Sequence, residues 1–270
     1  MAGFAERRRV FQELHRSGCF ALPNPWDIGT AKYLAHLGFK ALATTSAGFA
    51  FSRGLADGSV GRDLMLAHVR EMVEATELPL NADFENGYAH TPEGVAENVR
   101  RCVATGVAGL SIEDNSGRKD APLYEMALAT ERIRAAREAI ADSGVLLTGR
   151  AECFLVGVED IDEVIRRLTA YAEAGADCLY APGIRSREHI SAVVKAVAPK
   201  PVNLLISAPG GLTVNDAAEL GVRRVSVGGA LARAAWGGFA RAAKGLAEEG
   251  TFEGFAGAMP HSELQASFGQ

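Results

Sequence analysis

Carboxylates recur in this chain where short apolar runs end: Asp83 and Glu85, Glu113 and Asp114, and Glu152 two residues after Arg150. At similar run ends stand Trp26 with Asp27, Thr45 with Ser46, Asn115, Tyr180, Asn203, and Gly228 with Gly229. Taken singly, each has an ordinary structural reading: a strand-end Asp often caps the next helix, and a strand-end Arg often pairs with such a carboxylate. As a set the reading changes. Four carboxylates converging on one mouth would repel one another by several kcal/mol at low effective dielectric. Something positive has to hold them, either a divalent cation or Arg150. Oxygen-only ligands, with no His or Cys among them, suit Mg²⁺ or Mn²⁺ rather than zinc. Mg²⁺ keeps several waters, so one or two acids would bind directly and the rest would hold metal-bound water. A metal beside an arginine is suited to binding a small carboxylate or 2-oxo acid and stabilising an enolate.

The elements that must position these groups are legible as an alternation. Strands are expected at Cys19–Leu22, Ala41–Thr45, Leu78–Asp83, Gly109–Glu113, Val145–Arg150, Cys178–Ala181, Pro201–Leu205 and Arg224–Val227. Several are nearly continuous apolar runs, as in parallel strands covered on both faces. Helical spacing separates them: Asp63 to Ala75 with Asp63 as N-cap, Gly94 to Thr105 behind Thr91-Pro92, then 126–142, 158–174, 187–197 and 214–220. Glycine or proline closes many helices just before a strand, at Gly38, Gly106, Gly144, Gly175, Pro199 and Gly221. The fragments GFKALAT, GVAGLSIED, GADCLYAP and GVRRVSVGG read as one repeated unit of glycine cap, small residue and strand. Eight such alternations predict a (β/α)₈ TIM barrel of the α/β class, with an extra N-terminal helix from Phe4 to Arg16. A doubly wound sheet would need fewer strands and a strand-order reversal, and no GxGxxG follows the first strand. In a barrel, chemistry gathers at the carboxyl ends of the strands, where the polar residues above fall.

Composition agrees and excludes other classes. Of 270 residues, 48% are hydrophobic and 23% charged, which excludes disorder, collagen and coiled coil. Glycine, 30 residues, is scattered, as expected for many tight connections. The net charge of −5 comes without a basic stripe, so no nucleic-acid partner is expected. No signal peptide precedes the first helix and no apolar run reaches bilayer length, so no membrane association is expected. The four cysteines are dispersed and form no metal motif. A reduced, cytoplasmic protein is the expectation.

At the carboxylate positions the sequence resembles the isocitrate lyase/phosphoenolpyruvate mutase superfamily. The likeness lies in LNADFENGY, then GLSIEDN, then TGRAE, with LPNPWDIGTAKYLAHLGFKAL and TTSAGFAFSRGLADG upstream, and spans roughly Phe4 to Gly250. The resemblance implies a barrel, a bound Mg²⁺ and an enolate intermediate. It also implies a homo-oligomer, dimer or tetramer, exchanging its last helix, so that 1–270 forms one barrel domain with a swapped helical extension over 229–270. By position, Asp83 corresponds to the metal-side carboxylate, Glu85 stands where a second Asp is usual, and Asp57 in GLADG lies near the metal waters. Glu113 matches the fourth-strand glutamate and a further metal-side group, and Arg150 matches the substrate-carboxylate arginine. Thr45, Ser46 and Ala47 align with the segment that binds the 2-oxo acid, and Asn203 and Tyr180 join the substrate side. Tyr180 occupies a strand end where many relatives carry glutamate.

The loop after the fourth strand departs from the family. Its lyases carry Lys-Lys/Arg-Cys-Gly-His there, whereas Asn115 to Leu123 contains neither cysteine nor histidine. The mutases carry a lysine closely followed by asparagine, whereas Lys119 precedes Asp120-Ala121-Pro122. Arg118 and Lys119 could close over a substrate carboxylate or phosphonate, with Lys119 the catalytic candidate. His90 is read as a surface histidine, Cys153 as a packing residue, and SVGGALARAA as the lead into the exchanged helix rather than a phosphate site. Three functions remain: Mg²⁺-dependent C–C cleavage of a small 2-oxo or 2-hydroxy carboxylate, P–C chemistry on the same platform, or a barrel that only binds a carboxylate.

Overall fold

The computed structural model describes residues 3–269. Its strands are β1 (Phe20–Leu22), β2 (Leu42–Ala43), β3 (Leu80–Asp83), β4 (Gly109–Glu113), β5 (Leu146–Arg150), β6 (Cys178–Tyr180), β7 (Val202–Leu205) and β8 (Arg224–Ser226). Helices α1 (Phe4–Leu14), α2 (Ile28–His36), α3 (Ser46–Ser52), α4 (Arg62–Ala75), α5 (Pro92–Val103) and α6 (Met126–Ile140) precede β5. Helices α7 (Ile161–Glu173), α8 (Arg187–Val197), α9 (Val214–Glu219), α10 (Ala230–Lys244) and α11 (His261–Phe268) follow it. All strand pairs are parallel, in the order β1-β8-β7-β6-β5-β4-β3-β2. The seam between β1 and β2 is bridged by the Ala43 N–H, which donates to Pro23 O at 3.0 Å, and by the Asn24 amide, which donates to Thr44 O at 2.9 Å. This is the (β/α)₈ barrel the alternation predicts.

Helix α1 covers the end of the barrel opposite the site. Phe11 is fully buried in a cluster with Leu22, Ala41, Ala43 and Ala108. A Cβ on Gly109 would come within 2.7 Å of the Phe11 ring, so glycine there is what lets the helix approach. Arg8 donates to the carbonyls of Val103, Val107 and Ser143, and Gln12 to that of Gly144. These carbonyls lie at or just beyond the ends of α5 and α6, so α1 ties two barrel units from below. Phe11→Ala is expected to cost about 3–5 kcal/mol, read as a lower urea midpoint at unchanged slope.

Three local expectations are corrected. Asp63 is not the N-cap of α4: Gly61 holds that position, and Asp63 sits in the first turn with its carboxylate on Arg62. The β2 ladder stops at Ala43, because the Thr45 hydroxyl caps α3 by accepting from the Gly48 N–H. Helix α7 starts at Ile161, where Asp160 accepts from the N–H groups of Asp162 and Glu163, and a separate 3₁₀ turn covers Cys153–Val156. The cap at Thr91 with Pro92 in the first turn forms as expected.

Candidate active site

The site forms where β3, β4 and β5 end side by side. Glu113 and Arg150 are ladder partners in register, and Asp83 closes the neighbouring strand. Arg150 lies among three carboxylates: Nη1 is 3.4 Å from Asp83 Oδ1 and 3.3 Å from Glu113 Oε2, and Nε donates to Glu152 Oε1. Its guanidinium also lies 5.1 Å from the centre of the Tyr180 ring. The other oxygen of Asp83 accepts from Ser46 twice, from the backbone N–H at 3.0 Å and from the hydroxyl at 2.9 Å. A buried network stands behind this ring. Asp114 accepts from the Glu152 N–H at 2.8 Å, from Arg167 at 3.0 Å and from the Tyr171 hydroxyl at 2.6 Å. Asp114 thereby pins the backbone of Glu152, whose carboxylate accepts from Arg150.

The acids show the strain expected of crowded negative charge. Burial first, then the charges of Asp83 and Asp57, push the Glu85 carboxyl up to about 7 against the opposing pull of the Tyr88 hydroxyl and Arg150. Desolvation at the cavity wall, then Asp83, raises Asp57 as well. Burial raises Glu113 most strongly, with Arg150 opposing. Glu85 itself sits at a positive φ of 46°, where its side chain meets the Tyr88 hydroxyl at 3.0 Å. A turn that only strained residues can form is a familiar accompaniment of functional sites.

Two adjoining cavities meet at this ring and share Ser46, Asp57, Arg150 and Leu155. One, of about 350 Å³, also takes in Thr45, Ala47, Asp83, Tyr180 and Asn203. The other takes in Glu85, Tyr88, Glu113 and Glu152. Most of the sequence-selected residues are thus brought to one mouth. Lys119 is not: it lies on the exposed 117–120 turn and lines neither cavity, while Arg118 beside it pairs with Asp120 at 2.6 Å. Asn203 faces the deeper lumen, with its amide engaged by Arg224 and Ser226. Asp27 caps α2 through a box with Thr30, the structural reading for a strand-end acid. Cys153 is fully buried, with its thiol pushed up to about 12 by burial, and packs rather than reacts. His90 is exposed, with Nδ1 2.6 Å from the Tyr124 hydroxyl.

Residues that the motif reading passed over also shape the site. Tyr88, three positions after Glu85, was signalled only by its nearness to that acid. Asn24 in LPNPW accepts from the N–H groups of Val227 and Gly228, both at 2.9 Å, and so fixes the β8 loop on the cavity rim. Among the described residues, no three His, Cys, Asp or Glu side chains converge into a ready-made metal cage. The donors at the mouth are nevertheless all hard carboxylate oxygens, the chemistry that Mg²⁺ takes in ones and twos with water completing its shell.

Comparison with known proteins gives a consistent result. The phosphoenolpyruvate phosphomutase family model matches residues 11–247. An uncharacterized protein of Mycobacterium tuberculosis is 33% identical over 262 residues, covering 95% of each chain. The oxaloacetate decarboxylase of Pseudomonas aeruginosa is 31% identical over 251 residues, covering 83% of this chain and 79% of the other. A crystal structure from Burkholderia cenocepacia J2315 superposes with a TM-score of 0.96 at 47% identity, over 99% of this chain and 98% of that one. A phosphonopyruvate hydrolase in complex with oxalate and Mg²⁺ superposes with a TM-score of 0.85 at 25% identity, over 97% and 95%.

Proposed function

The chain belongs to the isocitrate lyase/phosphoenolpyruvate mutase superfamily, and from that premise we propose that it is a Mg²⁺-dependent enzyme cleaving a C–C bond in a small 2-oxo or 2-hydroxy dicarboxylate through an enolate. The observation that carries this reading is the ring of Asp83, Glu113 and Glu152 around Arg150, with the raised carboxyls of Glu85 and Asp57 beside it. Asp83, Glu85, Asp57 and Glu113 would hold the cation, directly or through water. Bound there, Mg²⁺ (or Mn²⁺) would act as a Lewis acid toward the 2-oxo group.

The chain's own groups supply the rest. Arg150 offers a fixed guanidinium to the substrate carboxylate and to the oxygen that gains charge as the bond breaks. The Thr45–Ala47 turn frames the opposite side of that oxygen, held in place by the Thr45 cap and by the bonds from Ser46 to Asp83. Tyr180, itself buried, sets its ring 5.1 Å from the Arg150 guanidinium and forms part of the cavity wall there. The 115–123 loop lacks the family's cysteine, which favours a cleavage that begins without a base. Loss of carbon dioxide from a 2-oxo dicarboxylate is of that kind: the electron pair of the breaking bond passes to the 2-oxo carbonyl, and the enolate afterwards takes a proton. Lys119 would take part only if its loop closed over the mouth.

A doubly charged phosphonate would need further cations here. Arg118 is engaged by Asp120 and Lys119 lines neither cavity, which leaves Arg233 as the added cation of the mouth. The loop also lacks the lysine-then-asparagine of the mutases, so P–C chemistry is the less favoured reading. Incubation with a panel of 2-oxo and 2-hydroxy dicarboxylates, followed by proton NMR, tests the proposal. Metal-dependent fragmentation that stops with a chelator is expected. With phosphonopyruvate the phosphorus spectrum should stay unchanged, and new phosphorus signals would reverse the order of the two readings. Binding of oxalate without turnover of any acid would leave a non-catalytic barrel.

Acidity gives a second check. Because Glu85 keeps its proton up to about 7, Mg²⁺ has to displace that proton at lower pH, and apparent affinity should climb between about pH 6 and pH 8. Calorimetric titration across that range measures it, and a flat profile would remove Glu85 from the ligand set. Association through the C-terminal region is part of the same proposal. Trp236 and Phe239 on α10, with Phe252 and Phe255 beyond it, are exposed, an apolar surface suited to a second copy.

A further inference from the structure

Below the carboxylate ring, the barrel lumen is polar where barrel interiors are ordinarily packed with branched apolar side chains. Asn81, Ser111, Asn203, Ser226 and Arg224 line it, continuous with the mouth cavity of about 350 Å³. Arg224 is only 2% exposed. Its hydrogen-bond partners are all neutral: Asn203 Oδ1 at 2.9 Å, Thr148 Oγ1 at 3.0 Å and His15 Nε2 at 3.3 Å. His15 is held uncharged, since burial and then the Arg224 charge push it down to about 3. Its Nδ1 is 2.7 Å from Phe11 O, which assigns Nε2 as the acceptor facing Arg224. Among the described residues no carboxylate lies within ion-pair distance of Arg224.

A guanidinium cannot shed its proton in a protein. Burying an uncompensated charge costs several kcal/mol, so this cation calls for a counter-charge that the protein does not provide beside it. Three of its five N–H groups are engaged, which leaves one each on Nη1 and Nη2. Ser226 accepts from Asn203 at 2.9 Å and hydrogen-bonds the Tyr180 hydroxyl, so the unused donors of the chamber are those of Arg224. Buried Asn81 Oδ1 lacks a partner in the same chamber and, as an acceptor, calls for a donor such as water, so the lumen has room for more than side chains.

We propose that this lumen is a binding site for a compact monoanion, a carboxylate group or a halide, held by the free N–H groups of Arg224. One buried positive charge matches one negative charge, and the small polar side chains around Arg224 leave room for it, while Arg150 and Arg233 line the same cavity. The site lies below the mouth and does not depend on the reaction proposed above.

Crystals of the wild-type protein soaked in bromide provide the direct test. An anomalous peak within hydrogen-bond reach of Arg224 is expected, and a lumen without one overturns the proposal. In solution, Tm should be higher in potassium bromide than in potassium gluconate at equal ionic strength. Arg224→Met should erase that difference, and Arg224→Lys should retain part of it. A bromide effect undiminished in Arg224→Met counts against the site. Halide-free crystals soaked with pyruvate identify the source: carboxylate density at Arg224 means an organic acid, and bromide density alone means a halide.

Discussion

Asp83→Asn should lower turnover about 10³-fold while leaving the fold intact. Asparagine preserves the shape of the side chain and can keep an oxygen toward Ser46, so the Ser46 N–H and hydroxyl retain an acceptor. What disappears is one negative charge, 3.4 Å from Arg150 and at the centre of the proposed metal ligands. The substitution should therefore weaken Mg²⁺ binding as well as turnover, with circular dichroism and Tm close to wild type. Calorimetry with Mg²⁺, alongside turnover of whichever dicarboxylate proves to be cleaved, separates the two losses. An Asp83→Asn protein with wild-type turnover and metal affinity would place the chemistry elsewhere in the barrel.

These acids are legible in the sequence for a geometric reason. A parallel strand ends where its apolar run ends, and a barrel turns every such end toward the same face. Glu113 and Arg150 come from strands in register, so their adjacency follows once the run boundaries are right. Asp83 follows by the same argument one strand over. The supporting pattern was less visible, because it depends on pairs no local spacing encodes. Ser46 donates to Asp83 across 37 positions, and Arg167 reaches Asp114 across 53. Arg224 illustrates the limit well. In RRVSV the alternation marks which residues share a face, but a cation turned into the lumen makes sense only with Asn203, Thr148 and His15 in place, each from a different element. Lys119 shows the converse: a charge that spacing puts near the mouth can be left on an outer turn by the loop's own Arg118–Asp120 pair.

Arg150→Met should damage both catalysis and stability, and the pH dependence of the second effect distinguishes electrostatics from lost packing. Methionine fills much of the same space, so packing changes little. The buried acids, however, lose their counter-ion: Glu113 at 3.3 Å, Asp83 at 3.4 Å and Glu152. Removing one partner of a buried ion pair typically costs about 3–5 kcal/mol. The protein can limit that cost by taking up protons, since burial already raises Glu113 and Arg150 is the main influence opposing it. A carboxyl with a higher pKa folded than unfolded binds more protons in the native state, so stability falls as pH rises from the unfolded value toward the folded one. The penalty of Arg150→Met should accordingly be smaller near pH 5 and larger near pH 8, about 1.4 kcal/mol for each unit by which a buried acid is further raised. Urea unfolding of both proteins at the two pH values measures it. Arg150→Lys, which keeps the charge but not the planar fork, should recover most of the stability and little of the turnover. A penalty independent of pH would mean that Arg150 acts on the fold through its bulk, and the ring of acids would then need another source of positive charge.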